Sequence, residues 1–114
     1  VLYLALGEIS AEADQYSQAV SALETAIAMS TDRVLTERAR VALGNVLTEA
    51  KRYEEAEAVY RAIIEENPES ADAHYELGTI YETRGNPEQA RYEWREAFRI
   101  DPNHAEAIRK LQNN

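Results

Sequence analysis

The sequence contains no cysteine. A disulfide framework, a thiolate nucleophile and a cysteine-based metal site are therefore excluded for this chain. Proline occurs only at positions 68, 87 and 102. Each falls at an expected helix boundary, which leaves long windows without a helix breaker. The four glycines are spread along the chain and form no phosphate-binding loop. The alternation of β-branched residues that a strand needs is absent. No apolar run approaches the roughly 20 residues of a membrane span. The opening VLYLALG is too short for that, and it lacks the basic flank of a signal peptide. Cations are also scarce: 12 Lys and Arg stand against 21 Asp and Glu, a net charge of −9. This argues against nucleic acid as a partner, since phosphates would have to be neutralised. It argues equally against a membrane surface of anionic lipid. Basic or mixed-charge protein partners are favoured.

What is present is a repeat. The chain has 114 residues, 45% of them apolar, enough for one domain with a modest core. The stretch from Ala71 to His104 reads as two helices around a tight turn. The first carries Leu77, Gly78 and Tyr81; the second carries Ala90, Trp94 and Ala97; Pro102 closes the unit. Thirty-four residues earlier much of the pattern returns as Leu43, Gly44, Leu47, Ala56, Tyr60, Ile63 and Pro68. Gly78 and Ala90 lack bulk where two helix backbones would approach, and Tyr81 and Trp94 supply surface to fill the seam. Gly85 can take φ > 0 and close the first helix. Asn86, Pro87 and Gln89 read as a cap, a first helical position and a capping-box partner.

Taken in order, a first helix is expected from Val1 to about Ala13, a turn at Asp14, and a second helix from Tyr16 to about Met29. Tyr3, Leu6 and Gly7 fall in the register of His74, Leu77 and Gly78; Ala19, Leu23 and Ala26 fall in that of Ala90, Trp94 and Ala97. Gly7 to Gly44 is 37 residues, three more than Gly44 to Gly78. The extra residues are placed around Ser30 to Thr36. Ser30 or Thr31 is read as a cap and Asp32 as a first-turn acid, with the helix running to about Ala50. Tyr53 to Glu66 is the next helix. Its turn, Lys51 and Arg52, lacks glycine and is expected to be poorly capped. Asn103 and Glu106 have capping-box spacing ahead of a last helix whose apolar face is Ala107, Ile108 and Leu111. Val1 in place of Met suggests a segment of a longer protein.

These residues resemble the tetratricopeptide repeat family, whose pattern is W-x2-L-G-x2-Y, then A-x3-F, then P. The resemblance covers nearly the whole chain. It implies an all-α, right-handed superhelical solenoid of antiparallel helix pairs. Its parts are repeat 1 at 1–33, truncated at its start, an insertion at 34–36, repeat 2 at 37–70 and repeat 3 at 71–104. Residues 105–114 form a capping helix or the opening of a fourth repeat. Tyr3, Arg40 and His74 stand where the family often has Trp. Ser10 replaces the large residue found as Leu47 and Tyr81, so a looser first repeat is expected.

Catalytic and metal constellations are missing. His74 reads as a partly buried packing residue and His104 as an exposed one. No HExxH spacing or EF-hand loop occurs. Glu54-Glu55 and Glu65-Glu66 point in different directions on a helix and read as solvated faces. No cofactor is implied. Arg91, Arg95 and Arg99 recur every four residues, with Glu93 and Glu96 expected to pair with them at the surface.

In the family, the first helix of each repeat lines a concave groove that holds a partner segment. Carried over, the groove positions are Val1, Leu4, Glu8 and Glu12, then Arg38, Val41, Asn45, Thr48 and Glu49. The third repeat supplies Asp72, Tyr75, Thr79, Glu82 and Thr83, with Glu106 and Arg109 beyond. Leu4, Val41 and Tyr75 share one register and would form an apolar track flanked by acids. The implied function is a non-enzymatic scaffold for a protein or peptide with apolar anchors and basic neighbours. Relatives that grip acidic chaperone tails use Lys, Arg and Asn where this chain has Leu4, Glu8, Ala42, Asp72 and Glu76, so no such binding is expected. The alternative is an assembly element that stacks through its ends, because Val1 to Leu6 starts uncapped and apolar.

Overall fold

The computed structural model describes residues 9–113, with side chains from residue 15 onward. Among these residues there are six helices and no strand. They are α1 (Ile9–Met29), α2 (Arg33–Glu49), α3 (Tyr53–Glu66), α4 (Ala71–Thr83), α5 (Pro87–Ile100) and α6 (Ala105–Asn113). The chain divides into two compact units between Ala56 and Glu57.

In the first unit α1 packs on α2. The turn expected at Asp14 does not occur, and α1 is continuous from Ile9 to Met29. The local sequence, Ala11 to Gln15, holds neither glycine nor proline, so nothing there stops a helix. The register copied from the later repeat also fails on this helix. Ala19 and Leu23 are half-buried and Ala26 is exposed, while Gln15 and Val20 are buried. The expected first helix from Val1, with Tyr3, Leu6, Gly7 and the apolar run to Leu6, lies outside the described residues, as does the side chain of Ser10.

The insertion resolves differently from the sequence reading. Asp32, not Ser30 or Thr31, is the N-cap of α2. The N–H groups of Val34 and Leu35 donate to its Oδ1 at 2.8 and 3.2 Å. Ser30 Oγ is occupied by the backbone of Asp32 instead. A carboxylate outcompetes a hydroxyl here because it meets two helix N–H groups and the positive end of the dipole.

The corner after α2 is fully closed, against expectation. Lys51 takes φ 65°, the left-handed region. Its N–H reaches Thr48 O at 2.9 Å, and Arg52 N–H reaches Leu47 O at 2.8 Å. The corner after α4 repeats this with glycine: Gly85 has φ 85°, and Gly85 and Asn86 donate to Glu82 O and Tyr81 O. Both are Schellman closures. The lysine version carries the left-handed penalty of a side chain, about 1 kcal/mol.

In the second unit α5 packs against both α4 and α6. Trp94, only 2% exposed, fills the seam with Leu77, Ile80, Tyr81, Ala90 and Ala97, all buried. Gly78 is essential to this fit. A Cβ there would stand 2.7 Å from Trp94 Nε1, 2.8 Å from Trp94 Cδ1 and 3.0 Å from the Ala90 carbonyl oxygen. Tyr60 and Ile63 of α3 are buried too, and Arg61 Nη2 donates to Tyr81 Oη. Glu57 ties Arg61 to Arg84 at 2.8 and 3.1 Å. Burying a large side chain of this kind contributes roughly 1.5–3 kcal/mol.

Two expected caps are absent for stated reasons. Asn86 stands at the N-cap of α5 without a side-chain bond. Its own N–H is already spent on Tyr81 O, so no amide proton is left for Gln89 to accept. At α6 the cap is His104, not Asn103: Ala107 N–H donates to His104 Nδ1 at 3.2 Å.

Two outcomes follow for unfolding measured by chemical denaturation. Gly78→Ala, which ordinarily gains about 1 kcal/mol in a helix, lowers stability by about 1–3 kcal/mol through overpacking on Trp94. Lys51→Gly raises stability by about 1 kcal/mol by removing the left-handed penalty. A stabilised Gly78→Ala or a neutral Lys51→Gly contradicts the respective account.

Candidate functional site

The solvent face of α4 is set by what its other face must bury. Ala73, His74, Leu77, Gly78, Ile80 and Tyr81 point inward. By helical spacing, Asp72, Tyr75, Glu76, Thr79, Glu82 and Thr83 are left on the open side. Asp72, Glu82 and Thr83 are exposed; Tyr75, Glu76 and Thr79 are half-buried. On α2 of the first unit Leu43, Gly44 and Leu47 are buried. Arg38, Asn45 and Glu49 are exposed there, with Val41 and Thr48 half-buried. Each helix thus gathers its expected residues on one face of its own unit. Arg109 and Glu106 are exposed on α6. Val1, Leu4 and Glu8 lie outside the described residues, as does the side chain of Glu12.

The threonines are less available than their exposure suggests. Thr48, Thr79 and Thr83 each turn the hydroxyl back onto the carbonyl four residues earlier, Gly44, Tyr75 and Thr79, at 2.8–3.2 Å. Their protons are therefore committed to their own helices.

Charge gathers where α6 meets α4. His104 is buried, not exposed as its sequence position suggested. Its Nδ1 accepts the Ala107 N–H, so its Nε2 carries the proton and donates to Asp72 Oδ1 at 3.0 Å. The ring also lies 5.2 Å from that of Tyr75. Lys110 bridges to Glu82 at 2.8 Å and sits 5.2 Å above the Trp94 ring. Unlike Asp72 and Glu82, Glu76 has no ion pair among the described residues. Burial, then the nearby Glu106 and Asp72, push its carboxyl up to about 7, with His104 opposing.

A second buried pair was not legible in the sequence. His74 Nδ1 lies 2.7 Å from Glu93 Oε1 and its Nε2 lies 3.1 Å from the Pro68 carbonyl. Both partners are acceptors, so both ring nitrogens donate and the ring is an imidazolium. The bond to Glu93 raises its pKa, against burial. Glu93 is therefore a seam residue, 12% exposed, and not a surface partner of the arginine row. Glu96 alone keeps that expected role, pairing with Arg99 at 3.0 Å.

The family model described as tetratricopeptide repeat matches residues 4–70 and again 42–105. No curated protein matches. Among solved structures, YrrB, described as a TPR protein with an unusual peptide-binding site, is similar at 27% identity and a TM-score of 0.75. That likeness covers 87% of this chain and 50% of YrrB. MamA is similar in fold at 21% identity and a TM-score of 0.74, over 96% of this chain and 58% of MamA. A MamA RS-1 double mutant gives 25% identity and a TM-score of 0.69, over 85% of this chain and 53% of its own. The chain thus spans between half and three-fifths of the length of these structures.

The pH dependence has a definite sign. His74 and Glu76 both have raised pKa values, so the folded chain holds protons more tightly than the unfolded one. The His74 contribution is complete below its ordinary 6.5 and is lost as pH rises through the raised value. Glu76 becomes a cost as pH climbs from 4.5 to about 7. Thermal melting is therefore expected to fall from mildly acidic to mildly alkaline pH. Glu76→Gln should raise the melting temperature on the alkaline side and change it little on the acid side. An equal change at both ends contradicts this assignment.

Proposed function

The chain belongs to the tetratricopeptide repeat family, and on that premise we propose that it is a non-enzymatic scaffold holding a segment of a partner protein. The segment lies against the open face of α4 and α6 in the second unit; the α2 face of the first unit is a separate surface of the same kind. One observation carries this reading: Tyr75 stands half-exposed at the centre of its face, between Asp72, Glu76 and Glu82. An aromatic ring gives an apolar anchor with little entropy to lose, and the surrounding carboxylates select basic neighbours. The unusual peptide-binding site ascribed to YrrB supports the same class of partner.

The partner is accordingly a peptide with one or two large apolar side chains next to Lys or Arg, in an extended or helical form. Glu76 is the carboxylate with most to gain, since it is half-buried and makes no ion pair among the described residues. A partner guanidinium would supply that charge in a charge-assisted bond. The acids on this face also oppose a partner ending in several carboxylates, through like-charge repulsion.

Titration of peptides of this composition tests the reading. Binding is expected to weaken at least about tenfold with Tyr75→Ala, as the anchor of the second unit is lost, and Val41→Ala tests the α2 face of the first unit by itself. An acidic peptide ending in EEVD is expected to leave the signal unchanged. Undiminished affinity in both variants, or micromolar binding of the EEVD peptide, sinks the proposal.

A further inference from the structure

We propose that the face of α5 bearing Arg91, Tyr92, Arg95 and Phe98 docks a second copy of this chain, which meets it with the carboxylates of its own α4–α6 face. This rests on the preceding reading of that face as a partner site, and it names one partner.

The α5 face is unusual for an acidic chain. Ala90, Trp94 and Ala97 take the buried side of the helix, so Arg91, Arg95 and Phe98 align on the other, with Tyr92 and Arg99 beside them. Tyr92 is 59% and Phe98 44% exposed, the two aromatics among the large apolar side chains left in solvent. The sequence suggested that Glu93 and Glu96 neutralise the row. Glu93 instead turns into the seam toward His74. Glu96 is taken by Arg99, which also reaches Glu69. Neither Arg91 nor Arg95 has a salt bridge or side-chain hydrogen bond among the described residues. Glu88, one turn earlier, is the acid remaining on this side.

The same unit carries the complement. Glu76 has Glu106 and Asp72 as its charged neighbours, with the His104 ring opposing them, and it makes no ion pair among the described residues. Arg91 to Arg95 and Asp72 to Glu76 are both four residues apart on regular helices. Both pairs therefore span about 6 Å along the axis, and two helices side by side can match both charges at once. Tyr75 on one face and Tyr92 on the other lie next to the incoming charges, where a guanidinium gains from an aromatic ring. Bidentate arginine–carboxylate pairs would then fix the register. The two faces differ, so the contact is heterologous: each copy that donates its arginines leaves its own carboxylates free. The association is a growing row, and a bound basic peptide would compete with it.

Sedimentation over a range of concentrations, at low and high salt, tests the proposal. The mass is expected to rise with concentration at low salt and to return to the monomer at high salt. Arg91→Glu with Arg95→Glu should remain monomeric and folded by circular dichroism, as should Glu76→Lys with Glu106→Lys. A mixture of these two variants should associate again although neither does so alone, because each supplies faces opposite in charge to those of the other. If the Glu76 variant fails to fold, Glu106→Lys alone should weaken association roughly tenfold. A monomer at every concentration overturns the proposal, as does association that the α5 variant leaves unchanged. Peptide titration on the monomeric α5 variant reads the earlier function separately, so either can fail without the other.

Discussion

The second unit depends on one close approach, that of α4 to α5 at Gly78. Trp94 occupies the space that a side chain at 78 would need, and Ala90 keeps the facing backbone within reach. Because the ring is lodged there, Tyr81 and Leu77 bury beside it, and the open face of α4 is left with its tyrosine and carboxylates. Surface chemistry is here a consequence of a packing constraint. The residues proposed to meet a partner are those the seam could not use.

Polar groups reinforce that seam. His74 is clasped between Glu93 and the Pro68 carbonyl, and Ser70 Oγ accepts Ala73 N–H at 3.4 Å at the start of α4. His104 does two tasks, capping α6 and holding Asp72. A histidine can cap a helix when one ring nitrogen is unprotonated and aimed at the first turn. The other nitrogen then ties the α6 start to α4. In this way α6 is joined to α4 by a directed bond as well as by packing.

The sequence was most informative where a rule is local. The 34-residue period, the bounds of α3, the start of α5 at Pro87, the buried Leu-Gly and Ala positions of the later repeats and the φ of Gly85 were all readable from spacing and turn chemistry. The candidate face of α4 came instead from the resemblance to the repeat family. Reading failed where a residue is decided by a distant one or by competition. Lys51 adopts a glycine conformation because two backbone bonds outweigh its penalty. Asn86 does not cap because its proton is used elsewhere. Glu93 leaves the arginine row for a histidine 19 positions away. At Asp14 a pattern borrowed from later repeats implied a turn, and the local residues carry no signal to make one.

The central claim is that the glycine at 78 is required by the tryptophan at 94, and a double-mutant cycle tests it most directly. Gly78→Ala would be measured in the native background and again with Trp94→Leu, by denaturant unfolding. The account predicts a loss of stability in the first and a much smaller loss or a gain in the second, where the ring is gone and only the 3.0 Å approach to the Ala90 carbonyl oxygen opposes helix propensity. An equal loss in both backgrounds would show that the glycine serves something other than the ring, and would contradict the account.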